Sequence, residues 1–160
     1  MKRNATGNEP AIARRVFGAW SITIPASFAE TFVDEGGYWH AYDTHRSVSL
    51  TSMVVEAEGG PVSADRILRQ MGPLPGASVD SLPPGLIGYG VEDEAIQPAR
   101  ASRTLSGILV RDGRVLMVTI TGDDTDWARR TWLSIGAHPA PLPGPGQRGQ
   151  EEPNRIQQRH

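Results

Sequence analysis

The chain has 160 residues and a formal net charge of −2, enough length to bury one core and too little for two comfortable ones. Its lysines and arginines are spread along the sequence rather than bunched, so the electrostatic footprint of a nucleic-acid binder is missing. The absence of cysteine excludes disulfides, thiolate metal sites and a cysteine nucleophile, and it suits the reducing cytoplasm, where the protein is expected to reside.

Residues 1–15 read as a polar N-terminal segment. Arg14-Arg15-Val16-Phe17 superficially matches a twin-arginine export signal. The residues after it alternate between apolar and polar instead of forming the apolar stretch of about 7–15 residues that such a signal needs. No run approaches the ~18 apolar residues of a membrane span, so no membrane association is expected.

From Val16 to Ile24 the alternation predicts one half-buried strand, with Val16, Trp20, Ile22 and Ile24 on one face and Ser21 and Thr23 on the other. Pro25 ends it. Ser27-Phe28-Ala29-Glu30 then reads as a capping box, and Phe28, Ala29, Phe32 and Val33 fall at helical spacing, which predicts a short helix before Gly36-Gly37. Strands are predicted over Tyr38–Tyr42 and Val48–Glu56. Ser63 is placed to cap a helix that carries Ile67, Leu68 and Met71 on one face, with Val62 able to staple onto Ile67 and Gly72-Pro73 stopping it.

A loop rich in proline and glycine, Gly72 to Gly85, leads to a strand predicted over Leu86–Val91. There Gly88 and Gly90 mark a place where another element approaches closely. Asp112-Gly113 is a strong two-residue hairpin signal. A turn there sets Arg111 opposite Arg114, Leu109 opposite Leu116, Gly107 opposite Val118 and Leu105 opposite Ile120. Both faces of this hairpin are apolar near the turn, so both require cover.

A last helix, capped by Asp123 or Asp124 and ending before Gly136, carries Trp127, Ala128, Thr131, Trp132 and Ile135 along one stripe. The acids Asp123, Asp124 and Asp126 suit capping and the helix dipole better than a metal site. After His138 the sequence becomes rich in proline, glycine and glutamine and offers little to bury, so residues 139–160 read as a flexible tail. Its formal G-x-G-x-x-G match, Gly144 to Gly149, lacks the strand-to-helix context that gives the motif its meaning.

The succession of elements predicts an α+β domain over residues 16–138, a mostly antiparallel sheet of about six strands with helices packed on its faces. The strand ending in "ITIP", the pair "YWHAYD…SVSLTSMVVEA", the helix after it, the meander ending in "RVLMVTIT" and the closing helix "DDTDWARRTWLSI" together resemble the PsbP-like α/β/α sandwich group, from about Phe17 to Ile135. That group includes the extrinsic photosystem II subunit P, a Ran-binding nuclear transport factor, bacterial lipoproteins and chaperones of secreted effectors. The signal peptide and lipid-bearing cysteine of the lipoprotein branch are not seen here. Members of the group mostly bind partners rather than catalyse reactions, so the resemblance implies a binding role and transfers no site residue.

The densest cluster of functional side chains is "EGGYWHAYDTHRS", Glu35 to Ser47. Strand alternation sends Tyr38, His40 and Tyr42 to one face and Trp39, Ala41 and Asp43 to the other. Trp39 is expected in the core. Tyr38, His40 and Tyr42, with Arg46 nearby, form the candidate binding patch, since rigid aromatics with polar tips are favoured contact residues.

His40 and Asp43 diverge and His45 sits at a turn, so no metal site, cofactor or catalytic residue is expected. No G-x-S-x-G, H-E-x-x-H or phosphate-loop motif occurs. The expected function is a non-catalytic binding or accessory protein that engages a protein partner through a sheet face or the Gly72–Gly85 loop, with a homodimer as a further option. The alternative is a small-molecule binder or enzyme with a pocket between sheet and helix, near the hydroxyl-lined end of the hairpin and the Asp123 turn.

Deleting Pro139–His160 should leave the melting temperature nearly unchanged in calorimetry. A loss of several degrees would show that the tail docks on the domain.

Overall fold

The computed structural model describes residues 9–33, 37–57, 59–97 and 100–139. Its organising element is the hairpin of β10 (Arg100–Arg111) and β11 (Arg114–Gly122). Asp112 and Gly113 both take positive φ, 51° and 74°, the backbone that a tight two-residue turn between twisted strands requires. The register is the expected one, from Arg111 opposite Arg114 to Leu105 opposite Ile120.

The hairpin lies within a seven-stranded antiparallel sheet. On one side of it are β3 (Ala29–Val33), β4 (Tyr38–Tyr42) and β5 (Ser47–Val54). On the other are β8 (Ala77–Ser78) and β9 (Ile87–Gln97). The strand order is β3-β4-β5-β11-β10-β9-β8.

The two faces of this sheet are covered by different elements. The helix α1 (Ala64–Met71) starts at Ser63, whose hydroxyl accepts from the Arg66 N–H at 3.4 Å. Its Ile67 packs with Ile108, Val110 and Val115, joined by Val62, Leu68 and Met71. On the opposite face lie α2 (Thr125–Leu133) and a second, three-stranded sheet of β1 (Ala11–Val16), β2 (Trp20–Pro25) and β12 (Gly136–Ala137), in the order β1-β2-β12. This side holds the larger core, in which Trp20, Ile22, Ile24, Trp39, Leu50, Leu109, Leu116 and Trp132 are all buried. Asp124 caps α2, accepting from the N–H groups of Asp126 and Trp127 at 3.0 and 3.1 Å. A small ribbon of β6 (Glu56–Ala57) and β7 (Gly60–Pro61) completes the assignment.

Of the two glycines expected to mark a close approach, Gly88 faces the Ile108 carbonyl of the neighbouring strand, and at Gly90 the approach is made by Trp132. Gly90 and Gly107 are opposite each other on neighbouring strands, and the indole lies on them: a Cβ at Gly90 would come 3.0 Å from the ring, and one at Gly107 would clash with two ring carbons. The indole N–H then reaches past the sheet to the Ser81 carbonyl at 2.9 Å. Arg129 adds a bidentate pair to Glu92 of β9, at 2.7 and 2.9 Å.

Three expectations need correction. The stretch Val16–Ile24 is two strands, because Phe17 and Gly18 turn the chain with φ of 54° and 70°. β1 therefore starts at Ala11 and pairs antiparallel with β2. The short helix predicted from Ser27 is strand β3: Thr31, Phe32 and Val33 favour extended backbone, and pairing with β4, Phe32 opposite Trp39, overrides the helical spacing. Phe28 is still buried, but against Trp127, at 5.9 Å between ring centroids. β9 also runs well past Val91. The tail from residue 140, with its G-x-G-x-x-G match, lies outside the described residues, as do Glu35 and Gly36.

If the glycine floor fixes the seat of α2, Gly107→Ala should cost ~1–3 kcal/mol by forcing Trp132 off its position. Gly122→Ala meets its neighbours only at 3.4 Å and beyond and should cost less than about 1 kcal/mol. Urea unfolding of the two variants measures the difference.

Candidate functional site

Tyr38, His40 and Tyr42 share the face of the large sheet that α1 covers, but they lie beyond its reach. Their rings form a row along β4: Tyr38 to His40 is 6.3 Å between centroids, and His40 to Tyr42 is 4.9 Å in a stacked arrangement. Tyr42 is 40% exposed.

Register extends the row across the sheet. Thr31, His40, Ser49, Thr119 and Ser106 stand side by side on successive strands. Ala29, Tyr42, Ser47, Thr121 and Thr104 form the row beside it. The surface is thus an array of hydroxyls edged by an aromatic strip. The Tyr38 and Ser49 hydroxyl oxygens are 3.4 Å apart, as are those of Thr104 and Thr121. Trp39 points the other way and is 3% exposed, with its indole N–H donating to Glu30.

Arg46 is not part of this patch. The turn after β4 carries it to the opposite face, where its guanidinium lies over the rings of Phe28 and Trp127 at 5.1 and 5.2 Å. It binds Glu9 through both terminal nitrogens, at 2.9 and 3.0 Å, and Asp43 at 2.7 Å. Asp43 also accepts from the backbone N–H groups of His45 and Arg46, which makes the turn an Asx-type structure. His40 and Asp43 do not converge, and among the described residues no group of three His, Asp or Glu could hold a metal ion.

The charges in this cluster answer one another. Hydrogen bonding from Arg46 holds the Glu9 carboxyl below the ordinary glutamate value. Burial works against ionisation of Asp43, but the Arg46 guanidinium and the two backbone donors outweigh it and lower its pKa as well. The bonds to Glu9, and to a lesser degree Asp43, raise the pKa of Arg46 in turn. Glu9 and the aromatic pair Phe28 and Trp127 were not visible as partners from the sequence, because only tertiary folding brings them to Arg46.

Beside this cluster a cleft of about 500 Å³ opens between β2 and α2. Its walls include Thr23, Arg46, Asp124, Trp127, Arg130 and Ser134. Ser134 is committed locally: its hydroxyl accepts from the Thr23 N–H at 3.0 Å and donates to the Thr131 carbonyl at 2.6 Å.

The arrangement of helices on opposite faces of an antiparallel sheet is the PsbP-like fold. The solution structure of cyanobacterial PsbP (CyanoP) from Synechocystis sp. PCC 6803 is similar to this chain with a TM-score of 0.56 at 9% identity, covering 86% of this chain and 98% of that one. A crystal structure from Bacteroides thetaiotaomicron VPI-5482 is similar with a TM-score of 0.54 at 11% identity over 75% of this chain. This chain spans less than half of that one, 45%. At these identities the likeness is one of fold. No protein-family model and no curated protein matches the sequence. Among the described residues no helix is long and apolar enough to cross a membrane.

The depressed Glu9 and Asp43 pKa values mean that Arg46 stabilises the fold above the ordinary carboxylate pKa range, and that this contribution is lost as pH falls through the lowered values. Arg46→Met should therefore lower stability by about 1–2 kcal/mol at neutral pH. Its melting temperature should also fall less steeply than the wild type's on acidification below about pH 5. Parallel acid slopes in scanning calorimetry would show that the cluster carries no such linkage.

Proposed function

We propose that this is a non-catalytic accessory protein that engages a protein partner through the uncovered half of its seven-stranded sheet. The observation that carries the reading is the composition of that half. From β3 to β10 the two cross-strand rows through His40 and Tyr42 contain only Ala, Thr, Ser, His and Tyr, and β9 continues them with Val91 and Asp93 at the far side. An ordinary solvated surface has about a quarter to a third charged residues. Depletion of charge around aromatic anchors is characteristic of the centres of protein interfaces. The strands hold these groups rigidly, so little ordering entropy opposes binding.

The PsbP-like fold supports a partner-binding role without naming the partner. The cysteine-free composition fits the cytoplasm, where we place the protein. The cleft between β2 and α2 favours a second reading, a small-molecule binder, because it lies beside the Asp124 cap with Thr23 and Ser134 in its walls.

A photo-crosslinking amino acid placed at Tyr42 tests the first reading, with Leu133 on the opposite side of the molecule as the control. Irradiation in the native cytosol should give a discrete adduct with a second protein from position 42 and none from position 133, and Thr119→Lys should suppress it. Equal labelling from both positions, or none from position 42, overturns the proposal.

A further inference from the structure

We infer that a second cavity, at the open end of the space between the two sheets, binds a phosphate-type oxyanion. It lies where the β10–β11 turn meets β2 and β12, and its volume is about 260 Å³. Trp20, Arg111, Arg114 and His138 all border it. It is on the Leu109 and Leu116 side of the sheet, across from the aromatic and hydroxyl face, so the inference is independent of the protein-binding reading.

Three observations meet at this cavity. The first is a like-charge confrontation: Arg111 and Arg114 are directly opposite in the hairpin register, an arrangement that is destabilising unless something neutralises it. The protein supplies little. Arg111 has Asp112 at 3.8 Å, with a carboxylate side chain 90% exposed, and Arg114 has no ion pair among the described residues. Asp112 also borders the cavity, but its exposed charge is screened by solvent and does not cancel two guanidiniums.

The second is Trp20. It is 1% exposed, yet its indole N–H has no acceptor among the described residues. A buried donor left unpaired is costly, and this one belongs to a side chain that forms the cavity wall. The third is His138, which is held in place at the cavity by two bonds. Its backbone N–H donates to the Ala19 carbonyl at 2.7 Å, and its Nε2 pairs with the Ser21 hydroxyl at 2.8 Å.

The two guanidiniums are the donors at this cavity and Asp112 is the carboxylate beside them, while the Trp20 indole N–H is sealed within the wall, where its resonance reports on what the cavity holds. Guanidinium forks match the oxygen spacing of phosphate and carboxylate. Two of them bordering one cavity favour the dianion over a singly charged carboxylate, because each added charge on the ligand is stabilised by both. The volume suits a phosphoryl group with little attached, supplied as free phosphate or as a small phosphate monoester.

The test is a titration of the full ¹⁵N-labelled chain at constant ionic strength, with inorganic phosphate, phenyl phosphate and acetate replacing chloride in separate arms. The Trp20 indole resonance should shift saturably with inorganic phosphate or phenyl phosphate at a dissociation constant on the order of 1 mM. Tighter binding of phenyl phosphate would assign the source as a monoester, and tighter binding of inorganic phosphate would assign it as the free ion. Acetate should bind at least tenfold more weakly. Arg111→Gln/Arg114→Gln, checked for an unchanged amide spectrum, should weaken phosphate at least tenfold, whereas Arg129→Gln should not. Shifts that fail to saturate, that persist in the double variant, or that acetate reproduces at equal affinity overturn the inference.

Discussion

The seat of Trp132 on Gly90 and Gly107 is the contact on which the rest of the molecule depends. Only a strand surface without side chains lets an indole come so close to the backbone, and the ring fills the space that two side chains would have taken. This sets the height of α2 above the large sheet. The indole N–H then ties the otherwise irregular loop at Ser81 to the same point. Because β12 follows α2 directly and pairs with β2, the small sheet is positioned by the same contact. The cleft near Arg46 and the cavity at the hairpin turn are two openings left around this one packed unit.

On the opposite face a different constraint operates. A helix of eight residues is only ~12 Å long, whereas seven strands span ~29 Å between the outermost pair. α1 therefore covers Ile108, Val110 and Val115 and leaves the rest of the face to its own composition. From β3 to β10 the rows through His40 and Tyr42 carry no charge, unlike an ordinary solvated face, and Asp93 on β9 marks where charge returns. These rows carry hydroxyls at the positions where a core would need aliphatics and aromatics where β4 comes near the edge. The chain has thus built a flat polar surface with rigid anchors out of the half of a sheet that its short helix cannot reach.

Arginines on the other side of the sheet show how the same residue type takes opposite roles. Arg46 is enclosed by two carboxylates and two rings, so its charge is spent within the fold and it ties the chain near Glu9 to the start of β5. Arg111 and Arg114 are forced opposite each other by a two-residue turn, and among the described residues only Arg111 has a carboxylate partner, the loosely held Asp112. A cation satisfied internally is structural, and a pair left facing each other is an unbalanced potential beside a cavity. The distinction rests on partners, which no count of charges in the sequence reveals.

The sequence alone carried the features that depend on neighbours close along the chain. Asp112-Gly113 determined the hairpin and its register, and with it the sorting of Leu109 and Leu116 from Ile108 and Val110. Ser63 and the pair Asp123-Asp124 marked the helix starts, Gly88 and Gly90 announced a close approach, and alternation separated Trp39 from Tyr38, His40 and Tyr42. Tertiary structure alone decided the rest. Ser27 to Val33 satisfies helical and strand spacing about equally, and pairing with β4 settled it. The alternation through Phe17 and Gly18 concealed a turn whose positive φ only the packing of β1 on β2 makes worthwhile. Arg46 has a partner in Glu9 from a distant part of the chain, and Trp132 met the glycines only once α2 had crossed the sheet. Local backbone preference and periodicity are written residue by residue. Which of two permitted conformations survives, and which charges meet, are fixed by contacts between segments that the linear order keeps apart.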